Sequence, residues 1–297
     1  MPRSPAGAVP VKSLFVLALL AAVGCGPDGG TNATELTLES CTTDIASDVP
    51  AFFRTYFKCV TVTKSGDNVL IRTKSLPPHR SAYYGAGHPN YTVFDTSRGT
   101  QYRQNPNRIV QQNHLFTVPL NPTSRGLTIT GAMVDRTANT NANEYRGGAV
   151  GVALDSVDIF NDQAAPGDNI DNEQYTFDNY QGHPQQTGDY HYHTATPGPL
   201  EVLRSAGLIT GTTPGSQTLE LYGIMCDGTL VFGCTELDGT RPSAAGLDAQ
   251  NGHLLDLQDS GGTVHFTNRY HTHVCPQSFP SHKYTPEIQF YTGCVVQ

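Results

Sequence analysis

The segment DNYQGHPQQTGDYHYH at 178–193 returns in altered form between Asp248 and His273, and this doubling constrains the chain more than any other feature. Each copy runs Asp, three residues, Gly-His, a gap, then Tyr-His-x-His. The first supplies Asp178, Gly182, His183, Tyr190, His191 and His193; the second supplies Asp248, Gly252, His253, Tyr270, His271 and His273. Tyr190 lies seven residues beyond His183 and Tyr270 seventeen beyond His253, so the second copy is looped out. Six of the chain's 11 histidines fall in these two units. Residues two apart in an extended strand project to one face, so each His-x-His offers two imidazoles side by side. Tyr190, Tyr192 and Tyr270 then face away and pack beneath.

The economical geometry is one pseudo-twofold site closed by both pairs, with His191 and His193 facing His271 and His273. His183 and His253, each after a turn-permitting glycine, serve as further ligands, proton shuttles or turn residues. Asp178 and Asp248 are placed to orient the imidazoles or to ligate directly. Four or more imidazoles with few thiols favour Cu or Zn over Ca or Mg. The competing account is a Tyr/His ladder across neighbouring strands, held by stacking and cross-strand contacts with no metal. A second cation is conceivable in the acidic stretch that holds Asp155, Asp158, Asp162, Asp168, Asp171, Glu173 and Asp178. Its oxygens suit Ca, although the spacing is not that of an EF-hand loop.

The Tyr190-His191-Tyr192-His193 run, preceded by Gly-His, resembles the YHYH domain family. The resemblance extends from about Gly147 to the C-terminus and takes in GGAVGVALDSVDIF, LYGIMCDGTLVFG and LDAQNGH, with Tyr-His-Thr-His standing where a second Tyr-His-Tyr-His is expected. It implies a domain of that family and a metal-binding role, and it implies no particular reaction.

The N-terminus reads as an exported lipoprotein leader. Arg3 and Lys12 precede an apolar run at Leu14–Val23 that is short for a membrane span. Ala22-Val23-Gly24-Cys25 resembles a lipobox with Cys25 as the lipidated residue, and 26–34 reads as a flexible tether. The expected membrane contact is through that lipid alone, in the bacterial cell envelope. Six further cysteines, Cys41, Cys59, Cys226, Cys234, Cys275 and Cys294, make an even set suited to disulfides in an exported protein. Nearest-neighbour pairing is the working expectation, with Cys226–Cys234 stapling a hairpin across Asp-Gly. A net charge of −8 without a Lys/Arg cluster argues against a nucleic-acid partner. Which small molecule or protein the chain meets is left open by the sequence.

Charged residues are 15% of the chain, against ~25% in typical globular proteins, with glycine, proline, threonine and tyrosine in their place. Alternating runs such as CVTVTKS and NVLIRTKS predict strands, as do HLFTVPL, GLTITGAMV, GGAVGVAL, LELYGIMC, TLVFGC, TVHFTNRYHTH and EIQFY. DVPAFFRTYF and PLEVLRSAG read as short helices. The fold expected is mainly β, an antiparallel sandwich or small barrel with long loops. An N-terminal β portion covers 35–135, with Ser75–Asn107 a surface excursion, and the motif-bearing domain covers 145–297. Serine-hydrolase, zincin, P-loop and Rossmann signatures are absent. Three functions stay open. One is a metal-binding envelope protein for metal handling. Another is a metalloenzyme, hydrolase or oxidase, with an open coordination position. The third is a structural or adhesion module without metal.

Overall fold

The structure is a computed structural model that describes residues 1–2, 34–136, 141–165, 168–276 and 283–297. The leader and Cys25 lie outside the described residues, as does all but the last residue of the tether. Residues 34–297 form one compact unit. No helix among the described residues is long and apolar enough to cross a membrane.

The chain is mainly β. Its first part runs through β1 (Asp44–Ile45), helix α1 (Ala51–Tyr56), β2 (Thr61–Ser65), β3 (Asn68–Thr73) and β4 (His114–Pro119). There follow β5 (Gly151–Ala153), β6 (Asp158–Ile159), α2 (Ile170–Glu173), β7 (Gly182–Pro184), β8 (Tyr190–Tyr192) and α3 (Pro197–Ser205). The last part holds β9 (Leu221–Met225), β10 (Leu230–Phe232), β11 (Gly252–Gln258), β12 (Val264–His273) and β13 (Val295–Val296). One sheet has the order β1-β2-β3-β4-β13 and the other β11-β12-β10-β9-β5-β6-β8-β7. Both sheets are mixed, because β1–β2, β6–β8 and β10–β12 pair in parallel, and neither closes into a barrel. The antiparallel expectation therefore holds for most strand pairs and fails for these three.

The elements follow from local chemistry. In β3, Val69, Ile71 and Thr73 point inward and Arg72 outward, the alternation expected of a strand with one buried face. Helix α3 starts at Thr196, whose hydroxyl accepts the Gly198 N–H, carries Pro197 at its first turn, and stops before Gly207 at φ +73°. The runs GLTITGAMV and EIQFY are not strands. Leu127, Ile129 and Met133 pack with Tyr270, Ile288 and Phe290 through side chains, and Ile288 and Tyr291 make only isolated bridges.

One hydrophobic cluster joins Val62, Ile71 and Phe116 of the first sheet to Val152, Ile159, Leu221 and Val231 of the second. The C-terminal strand β13 returns to pair with β4. The two portions read from the sequence thus share a core. The Ser75–Asn107 segment is not a surface excursion: Ser81, Tyr83 and Asn90 are buried, and Ser81 Oγ donates to Asp178 Oδ2 at 2.5 Å.

Cys41 pairs with Cys59 as expected, but the other two bridges are Cys226–Cys294 and Cys234–Cys275. The hairpin explains the correction. Cys226 sits at its turn, where Met225 N–H donates to the Thr229 carbonyl. Cys234 lies at the open end, beside Glu220. Cleavage under non-reducing conditions should therefore release peptides joining 226 to 294 and 234 to 275. Recovery of a 226–234 peptide instead would contradict the fold of this hairpin.

Candidate metal centres

The eight-stranded sheet is built from two halves of the same plan. In β5-β6-β7-β8 and again in β9-β10-β11-β12, the first two strands form an antiparallel hairpin, as do the last two, and the fourth pairs in parallel with the second. The halves meet through antiparallel β5 and β9, in register about Val152 opposite Ile224. Sequence agrees: GVALDSVDIF at 151–160 aligns with GIMCDGTLVF at 223–232. The duplication thus begins upstream of the Asp-x3-Gly-His units.

Within each half the same contacts aim the histidines. Asp178 Oδ1 accepts the Tyr180 and Gly182 amides at 2.8 and 3.4 Å, and Asp248 Oδ1 accepts those of Gln250 and Gly252 at 3.0 and 2.8 Å. Tyr190 Oη donates to Asp178 at 2.9 Å and Tyr270 Oη to Asp248 at 2.6 Å. Gly182 and Gly252 lie directly against those two rings, where an added Cβ would overlap Tyr190 and Tyr270. Asp178 and Asp248 therefore bond turn amides and a tyrosine hydroxyl, and position the imidazoles only through the turn and strand they hold. They brace the turn and the tyrosine, and burial pushes Asp178 up to about 6.

The single shared site is not what forms. The two Tyr-His-x-His strands stand toward opposite ends of the sheet, because β5 and β9 occupy its middle. Each half instead gathers its own three histidines. In the first centre, His191 Nε2 and His193 Nε2 are 2.9 Å apart, with His183 beside them. Their Nδ1 atoms are engaged by the carbonyls of Asp189 (2.9 Å) and Asn161 (2.6 Å), and His183 Nδ1 meets Thr176 Oγ1 at 2.7 Å. A carbonyl can only accept, so Nδ1 carries the proton and the Nε2 lone pairs point at one another. In the second centre, the carbonyls of Arg269 (3.1 Å) and Gly233 (2.9 Å) hold His271 and His273 in the same tautomer. His273 Nε2 lies 3.3 Å from His253 Nε2.

The second centre has a fourth group, Glu236, that sequence reasoning missed, and the first is bordered by Glu173, read from the sequence only as part of the acidic stretch. Glu236 reaches His253 and His271 at 2.9 Å and His273 at 3.3 Å. Glu173, on α2, stands 3.7 Å from His183. Neither falls at a matching position in the repeat, and no local motif marks them. Burial works to raise Glu236, but hydrogen bonds from His253, His271 and His273 outweigh it and hold the carboxyl far below the usual range. Burial pushes Glu173 up to about 7, with Asp168 adding to the shift. It also drives His183 and His191 well down and His193 from 6.5 to about 4, so these rings stay neutral.

Phe160 stacks on His191 at 3.6 Å, and Phe232 holds the equivalent place 5.1 Å from His271. A cavity of about 480 Å³ opens on the first centre, lined by Phe160, Asn161, Gln163, Glu173, Gln185, His191 and His193 among others. The carboxylates of the expected calcium loop do not gather there: Asp155 meets Tyr192, Asp158 His114, and Asp171 both Arg136 and Tyr284. Of the remaining histidines, His79 stacks on Tyr180, His88 on Tyr84, and His265 pairs with Asp259.

Each centre could hold a metal ion, with one donor atom per residue inside 4.8 Å: His183, His191 and His193 in one, and Glu236, His253, His271 and His273 in the other. The molecule is thus a two-sheet β protein with a duplicated half-sheet, each half presenting a buried histidine cluster. The YHYH protein family model matches residues 115–274, more than half of the chain, and the chain belongs to that family. The match begins in β4, some way before the boundary at 145 read from the sequence. No curated protein and no solved structure matches it.

The glycine requirement is directly testable. Gly252→Ala should displace Tyr270 and destabilise the protein by about 1–3 kcal/mol, the usual cost of overpacking. Gly182→Ala should do the same through Tyr190. Thermal unfolding of both variants checks this, and unchanged midpoints would refute the close approach.

Proposed function

We propose that this chain is an exported protein that binds two transition-metal ions, Zn or Cu, one in each half of the duplicated sheet. The observation that carries the reading is the pair of opposed Nε2 atoms 2.9 Å apart in the first centre, with the Nδ1 atoms tied to backbone carbonyls. Two neutral imidazoles that face each other through lone pairs repel unless a proton or a metal lies between them. Tautomers fixed from behind by carbonyl oxygens are the usual support of histidine ligands. The second half reproduces the arrangement and adds a carboxylate, which suits a closed four-ligand centre. Three disulfides support export, and attachment to the envelope through Cys25 rests on the leader sequence.

The second reading, a metalloenzyme, is favoured at the first centre only. There His191 and His193 border a cavity of about 480 Å³, and a three-imidazole set leaves a coordination position for water or substrate. In that case Glu173 is the carboxyl best placed to take a proton from a bound water. The second centre, filled by Glu236, holds its ion for structure.

Elemental analysis of protein purified without a histidine tag tests the proposal. Two equivalents of Zn or Cu are expected. His193→Ala and His273→Ala should each remove one and leave the other, because the centres share no ligand. Less than ~0.3 equivalents after reconstitution would end both metal readings, given the affinity of multi-histidine sites.

The pH dependence follows from the same burial. Protons compete with a metal for Nε2 only as the pH nears the value of the ligand itself. Because His193 is lowered from 6.5 to about 4, occupancy of the first centre should persist through pH 6 and fall as the pH approaches 4. Loss that tracks the ordinary imidazole value would mean the ligands are exposed histidines.

A further inference from the structure

The two halves correspond closely around their histidines, so a position where they part is informative. Asp158 stands opposite His191 across β6 and β8, as Leu230 stands opposite His271 across β10 and β12. Asp189 precedes Tyr190 as Arg269 precedes Tyr270. The second half therefore builds the same strands, turn and histidine cluster with a leucine and an arginine at these places. The shared plan does not require two carboxyls there. Yet Asp158 is 0% and Asp189 1% exposed, and withdrawing carboxylates from water without compensation is costly.

The carboxyls face one another, and His114, the first residue of β4, completes the group. Its Nδ1 lies 2.6 Å from Asp158 Oδ2, and one donor atom from each of the three residues falls inside 4.8 Å. Asp158 Oδ1 and Asp189 Oδ1 are buried and make no hydrogen bond among the described residues, and the Ser75 hydroxyl beside both carboxyls donates to the Tyr190 carbonyl. The His114 side chain is 23% exposed, which gives the group a route to solvent. Two facing buried carboxyls are held together by a shared proton or by a cation.

We propose that His114, Asp158 and Asp189 form a third cation site, for a divalent ion of the Mn(II) or Fe(II) kind. Two carboxylate oxygens and one imidazole make a harder donor set than three imidazoles, and this separates the ion it prefers from Zn or Cu. The site is independent of the two histidine centres in its ligands. Asp189 touches the first centre only through its backbone carbonyl, which His191 Nδ1–H engages at 2.9 Å, so changing its side chain leaves that bond in place. A cation here sits beside the first centre, with no counterpart at the second.

The test uses the full protein, stripped of metal and given two equivalents of Zn(II), which multi-imidazole sets prefer. Mn(II) is then titrated while the electron paramagnetic resonance signal of the free ion is followed. One further equivalent should bind. Asp189→Asn and His114→Gln should each weaken that binding, on the order of tenfold or more, with the Zn content unchanged. If wild-type protein takes up no Mn(II), or if both variants bind it as wild type does, the carboxyls share a proton and the proposal is overturned. His114→Gln, at a partly exposed position, keeps the test decisive should Asp189→Asn not fold. If Zn(II) does not load, the same titration on metal-free protein still reads this group. Failure of the histidine centres and failure of this site are therefore seen separately.

Discussion

The structure depends on side-chain alternation along two strands, each fastened from below. On β8 and β12 the tyrosine that opens the motif points down, and the two histidines point up. What fixes this register is the hydrogen bond from Tyr190 to Asp178 and from Tyr270 to Asp248, over a glycine that leaves room for the ring. A strand slipped by one residue would put histidine where tyrosine now sits and turn the phenol into the buried histidine cluster. The same aspartates cap the turns that deliver His183 and His253, so one carboxylate sets both the strand and the third imidazole. The residues shared by the motifs are thus of two kinds: histidines that face a centre, and Asp, Gly and Tyr that hold them there.

The pairing of β5 with β9 decides how many centres there are. Because the halves join edge to edge in the middle of the sheet, each motif strand is carried outward, and the clusters form apart. A twofold arrangement that joined β8 to β12 would have merged them. Separation also lets the halves diverge. The second carries Cys234–Cys275, a bridge between the ends of β10 and β12 beside His273; the equivalent positions of the first are Asp162 and Ala195. A cross-link there narrows the unfolded ensemble and fixes the strands that carry the ligands.

Much of this was legible in the sequence. The alternation of CVTVTKS and NVLIRTKS gave β2 and β3, PLEVLRSAG with its Gly stop gave most of α3, and the doubled histidine units gave the histidines of both clusters. Their separation was not legible, because it depends on which strands become central, a long-range choice that motif spacing does not encode. The upstream copy, GVALDSVDIF against GIMCDGTLVF, carries that information, but its identities are few and lie in generic strand residues. The place of Glu236, and of Glu173 beyond its membership of the acidic stretch, was hidden for a related reason. Each reaches its histidines from an element outside the Asp-x3-Gly-His unit, and at no common offset. Asp178 and Asp248 were assigned to the imidazoles because carboxylates commonly support histidine ligands; here backbone carbonyls do so, and the aspartates serve the tyrosines.

The two centres differ in charge balance, and this argues for different roles. At the second, one carboxylate with a strong preference for the ionised form is in contact with all three imidazoles. It would offset half the charge of a divalent ion bound there and supply a fourth ligand atom. At the first, the carboxyl of Glu173 is farther off, and burial favours its protonated form. A divalent ion bound there would keep more of its charge and would draw that proton off. The aromatic wall of Phe160 and the amides of Asn161, Gln163 and Gln185 border the open side without supplying a compensating charge. An under-neutralised ion next to a cavity attracts an anionic or strongly polar ligand, whereas a neutralised ion behind a disulfide does not. The duplication therefore reads as one plan used twice; under the proposed metal binding, the second copy would be held shut and the first left able to exchange what it binds.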